Sequence, residues 1–79
     1  MSDAEFGRLA SDVFTRHGVA FNQSSAFIKY WMSQARIGNY LGAPEGPEFQ
    51  SEQGIPMQEF AGTVLYYKEW NVFNGIPFA

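Results

Sequence analysis

Few residues in this chain have chemistry to offer. His17 is the only histidine among 79 residues, and Asp12 and Glu5 are the acids near enough in sequence to orient it as a general base. A serine nucleophile would need that base, and none of Ser11, Ser24, Ser25, Ser33 or Ser51 stands in a nucleophile motif. His17 falls instead where a helix ends, just before Gly18, and a polar or cationic residue there answers the negative end of the helix. Glu45, Glu48, Glu52 and Glu59 form a loose acidic group. Paired carboxylates hydrolyse glycosides when suitably separated. Here the stretch lacks the dense oxygen-ligand spacing of a calcium loop and reads as a solvated acidic loop. The absence of cysteine excludes a Cys/His zinc site, and one histidine excludes a multi-histidine site. The run Gly42-Ala43-Pro44-Glu45-Gly46-Pro47 has no P-loop lysine and reads as a rigid connection, not a phosphate cradle. The expectation is a protein without catalytic residues, metal or cofactor.

The aromatic residues are the better lead. Eight Phe, four Tyr and two Trp make up 18% of the chain, and each buries roughly 150–250 Å² when packed. A domain this small cannot hide all of them. Tyr and Trp combine an apolar body with a polar tip, which suits sugar faces and peptide chains. Tyr30, Tyr40, Tyr66, Tyr67 and Trp70 are the candidates, with Glu48 as the acidic hydrogen-bonding partner. Tyr66 and Tyr67 are adjacent in a strand pattern, so they point to opposite faces, one inward and one outward. Trp70 lies in a turn, where burial is harder.

The elements that position these residues divide the chain into a helical half, residues 1–38, and a Gly/Pro/aromatic-rich half, residues 39–79, of one domain. Ser2-Asp3-Ala4-Glu5 has capping-box spacing. Phe6, Leu9, Ala10, Val13 and Phe14 then recur on one helical face, which predicts a helix over 3–16 closed by Gly18. A second helix is predicted over about 24–36, capped by Asn22 or Ser24, with an apolar face of Ala26, Phe27, Tyr30, Trp31 and Ala35 and a stop at Gly38. From Gly38 onward come six of the eight glycines and all four prolines. Strands are predicted over 55–60 and 63–67 around a tight Ala61-Gly62 turn, and a third at Val72-Phe73 after a turn at Lys68-Glu69-Trp70-Asn71. Asn74-Gly75 is a further turn signal. The fold expected is α+β: two N-terminal helices packed on a small antiparallel meander of about three strands.

Charge narrows the partners. The net charge is −3, and Arg8, Arg16, Lys29, Arg36 and Lys68 are scattered. Nucleic acid and anionic membrane surfaces both demand clustered positive charge. No apolar run approaches the ~20 residues of a transmembrane helix, so membrane insertion is not expected. The acidic Met1-Ser2-Asp3-Ala4-Glu5 start does not read as a signal peptide.

Leu41-Gly42-Ala43-Pro44, then Glu48, Gly54 and Gln58-Glu59-Phe60-Ala61-Gly62-Thr63-Val64-Leu65-Tyr66, resembles the LGFP-type repeat of bacterial cell-envelope proteins. Ala26-Phe27-Ile28-Lys29-Tyr30-Trp31 is similar to the helix that precedes Leu-Gly-x-Pro in such modules, so the resemblance spans about residues 26–76 as a single copy. It implies attachment to the cell wall, hence a cell-envelope or extracellular setting. Two functions are therefore expected. The first is a non-catalytic binding module for bacterial cell-wall glycan or another envelope polymer, acting through exposed aromatics. The second is a small structural or interaction protein, a virion component or assembly subunit, packing through its aromatic face against another protein or a second copy of itself. The Met1 start and the leaderless N-terminus favour the second.

Overall fold

The computed structural model describes residues 2–75. Helix α1 (Asp3–Arg16) starts as its sequence dictates: the Ser2 hydroxyl accepts from the backbone N–H of Glu5 at 3.1 Å and donates to the Glu5 carboxylate at 3.1 Å. Helix α2 (Ala26–Arg36) begins two residues later than expected. Its N-cap is Ser25, while Asn22 folds back to accept from Ser24 N at 3.0 Å. The Ser25 hydroxyl makes no cap bond and donates instead to Glu48. The two helices end in the same way. Gly18 and Gly38 adopt left-handed φ of 71° and 86°, and the next residue's N–H reaches back across the last turn, Val19 to Phe14 O and Asn39 to Gln34 O. This is the Schellman closure that glycine permits.

The second half forms one antiparallel sheet of four strands in sequential order, β1 (Phe49–Gln50), β2 (Pro56–Phe60), β3 (Thr63–Lys68) and β4 (Asn71–Asn74). The α+β reading holds, with one strand more than the three expected. β1 is only two residues long, too short to carry an alternation signal. Asn74 ends β4 and Gly75 N donates to Val64 O at 2.8 Å; the residues that would complete a turn at Asn74-Gly75 lie outside the described residues.

The core lies between the helices and one face of the sheet. Phe14 is its hub, fully buried, with edge-on contacts to Phe21, Trp31 and Phe60 at centroid distances of 5.3, 5.2 and 6.2 Å. The buried stripe of α2 is Phe27, Ile28 and Trp31, so Ile28 belongs to the core and Ala26 is exposed, contrary to the expected face. Leu65 and Phe60 close the core from the sheet side, with Tyr67 and Val72 packed at its edge.

The 41–45 segment fastens the two halves together. The Trp31 indole donates to Gly42 O at 2.8 Å. Gly62 N and Ala61 N, in the β2–β3 turn, donate to Leu41 O and Ala43 O at 3.0 and 2.9 Å, and Glu45 N donates to Glu59 O at 2.9 Å. A Cβ on Gly42 would stand 2.7 Å from Gly62 N, and one on Gly62 would stand 2.9 Å from Leu41 O. Both glycines are therefore demanded by backbone meeting backbone. Residues that carry the sequence resemblance thus have a packing role.

Candidate functional site

Strand alternation and register sort the aromatic residues onto two faces. Phe60, Leu65, Tyr67 and Val72 point to the core. The opposite face carries a row that crosses all four strands, because Phe49 pairs with Met57, Met57 with Tyr66, and Tyr66 with Phe73. The Tyr66 and Phe73 rings stack at 5.3 Å with an interplanar angle of 18°. Phe49 and Phe73 are exposed at the two ends of the row, and Met57 is buried between its neighbours although it lies outside the main core. Val64 and Glu59, paired with each other, continue this face toward the β2–β3 turn. It is a second apolar surface, left open by the helices.

Trp70 lies beside it. The β3–β4 hairpin closes through Lys68 and Asn71, two residue pairs beyond the Tyr66–Phe73 stack. Glu69 and Trp70 form the two-residue turn with φ of 54° and 66°. A turn with left-handed φ at both positions favours Asn-Gly, and for residues bearing a Cβ this region costs roughly 1–2 kcal/mol each. The Trp70 side chain makes up for none of this by packing, since the residue is 88% exposed. A large aromatic is thus held in solvent on a strained tip. Strain of this kind gathers at functional sites.

The other sequence candidates fall elsewhere. Tyr67 faces inward, which settles the outward member of the pair as Tyr66. Tyr40 is exposed but sits on the helical side, its ring 5.6 Å from Trp31, where it lines an apolar cavity of about 180 Å³ with Phe6, Leu9 and Val13. Tyr30 is half-buried against the core. Glu48 stands at the start of α2, bonded to Ser25. It brings negative charge to a helix with no acidic residue in its own first turn. Glu48 and Tyr67 meet there, since both line a cavity of about 230 Å³ with Ser25 and Pro56. A neighbouring cavity of about 270 Å³ shares Ser25 and Glu48 and reaches Gln58. His17 is exposed at the C-cap of α1, as its position predicts.

Phe49, Met57, Phe73 and Gln58 were absent from the sequence candidates. Phe73 was findable: counting outward from a two-residue turn at Glu69-Trp70 pairs it with Tyr66. Gln58 stands in the stretch that carries the resemblance and two places before Phe60, so alternation puts it on the inward face, but a polar residue there is not marked as buried by its type.

Among the described residues, no group of three or more His, Asp or Glu side chains is placed to hold a metal ion, and no helix is long and apolar enough to cross a membrane. No family model matches the chain, and neither the curated proteins nor the solved structures yield a match.

Proposed function

We propose that this protein is a non-catalytic binding module for bacterial cell-wall glycan or another envelope polymer, engaged on the open face of the sheet. The observation that carries the reading is the stacked Tyr66–Phe73 pair next to the solvent-held Trp70. The stack offers flat aromatic surface and Trp70 adds an exposed ring at the tip of the same hairpin, the kind of surface on which a sugar's apolar face packs while its hydroxyls stay wet. Lys68 and Asn71 lie on the same strand face as Tyr66 and Phe73 and supply polar groups at its edge. The resemblance of residues 26–76 to envelope modules supports the ligand class. Sedimentation with insoluble cell wall tests it. The protein is retained at micromolar concentration, and Tyr66→Ala and Trp70→Ala release it; a wild-type protein that stays in the supernatant overturns the reading.

One observation favours the second reading, a structural or assembly subunit. The Phe49–Met57–Tyr66–Phe73 row is continuous and mostly without polar atoms, as protein interfaces are at their centres. Light scattering separates the two. An assembly subunit that pairs with itself forms a stable oligomer that Phe73→Asp dissolves, whereas a glycan module remains a monomer.

A further inference from the structure

A buried carbonyl without a donor marks a place where a donor belongs. Gln58 is 1% exposed in β2. Its Nε2 donates to Gly46 O at 3.1 Å, and its Oε1 has no hydrogen-bond partner among the described residues. The orientation of the amide is set by that bond, because the reverse would place two acceptors face to face. Gln58 lines the cavity of about 270 Å³ at the start of α2. Val19, Ile28 and Pro47 wall it, and Glu48, tethered by the Ser25 hydroxyl, stands at its rim. The arrangement is a neutral acceptor among aliphatic walls with a carboxylate toward solvent.

This pattern selects its ligand. An ammonium group would be stripped of water among aliphatic walls with only a neutral carbonyl to meet it. An extended peptide needs a groove with a strand edge or a run of pockets, and this cavity is smaller than the ~300 Å³ at which drug-sized sites begin. What fits is one N–H beside a methyl group, with hydroxyls further out. We propose that the cavity floored by Gln58 and rimmed by Glu48 binds the acetamido group of an N-acetylated sugar. The amide N–H donates to Gln58 Oε1, the methyl packs against Ile28 and Val19, and a ring hydroxyl donates to Glu48. The choice of a sugar rests on the glycan reading above. The cavity itself does not, since Gln58 is on the core side of the sheet and the Tyr66–Phe73 stack is on the other.

The test is a ¹H–¹⁵N NMR titration of the full chain with N-acetylglucosamine, with glucose, glucosamine and an N-acetylated dipeptide amide as controls. N-acetylglucosamine shifts the Gln58 side-chain amide and the backbone signals of Ser25 and Ile28, and the controls do not. Gln58→Met, close in volume, removes the acceptor; it unfolds at or above the wild-type temperature and binds the sugar about tenfold more weakly, as expected when a polar partner is withdrawn. A purely structural Gln58 would lower the melting temperature instead. Absence of shifts at Gln58, equal shifts with glucose, or stronger shifts with the dipeptide overturn the proposal. Wall retention, measured in parallel, keeps the two readings apart. Retention without Gln58 shifts defeats only the acetamido site, and Gln58 shifts without retention defeat only the wall-binding reading.

Discussion

The indole N–H of Trp31 donates to the carbonyl of Gly42 across 2.8 Å, and this bond joins the helical half of the molecule to the sheet half. Gly42 belongs to the segment whose carbonyls hold the β2–β3 turn, so α2, the connecting segment and the hairpin form one hydrogen-bonded chain. Trp31 also packs edge-on against Phe14 at 5.2 Å. Trp31→Phe keeps most of the apolar contact and removes the donor. It is expected to cost about 2–3 kcal/mol in a urea titration, from the orphaned carbonyl and the smaller ring.

The close approach of Gly42 to the Ala61-Gly62 turn predicts an order among glycine substitutions. Gly38→Ala places a Cβ in open space at left-handed φ and should cost about 1 kcal/mol. Gly62→Ala drives a Cβ to 2.9 Å from a backbone oxygen, and Gly42→Ala combines a 2.7 Å clash with a φ of 95°. Chemical denaturation should rank Gly42→Ala as the most damaging, then Gly62→Ala, then Gly38→Ala, with the first at roughly 3 kcal/mol or more.

The Glu69-Trp70 turn opposes local preference. Replacing the pair by Asn-Gly supplies the residues that left-handed φ at both positions favours. The double variant is expected to be more stable by about 1–2 kcal/mol and to lose retention on cell wall. A gain in melting temperature with undiminished retention would show that Trp70 has no part in binding.

Tyr66 and Tyr67 should behave oppositely under the same change. Tyr67 packs at the core edge, and Tyr67→Ala is expected to destabilise by about 2–3 kcal/mol. Tyr66→Ala removes a cross-strand stack, worth about 1 kcal/mol or less, and should abolish binding while the circular dichroism spectrum stays native.

Much of the architecture is local and was legible for that reason. The Ser2–Glu5 box, the period of Phe6, Ala10, Val13 and Phe14, and the glycines after each helix define α1 and the ends of both helices without reference to anything distant. The strand pair about Ala61-Gly62 and the Lys68–Asn71 turn are equally short-range, and so was the inference that one of Tyr66 and Tyr67 must face outward. Tertiary structure decided what depends on partners far along the chain. It chose Tyr66 as the outer one, because the helices cover a single face of the sheet. It drew the Ser25 hydroxyl away from its own helix to Glu48, 23 residues on. It set Gln58 inside, with one end bonded to Gly46 and the other buried without a partner among the described residues. Residue type and spacing carry the caps, turns and periods because those interactions span a few positions. Which face is covered, and which polar atom is buried without a partner, depends on how the helices and sheet pack together.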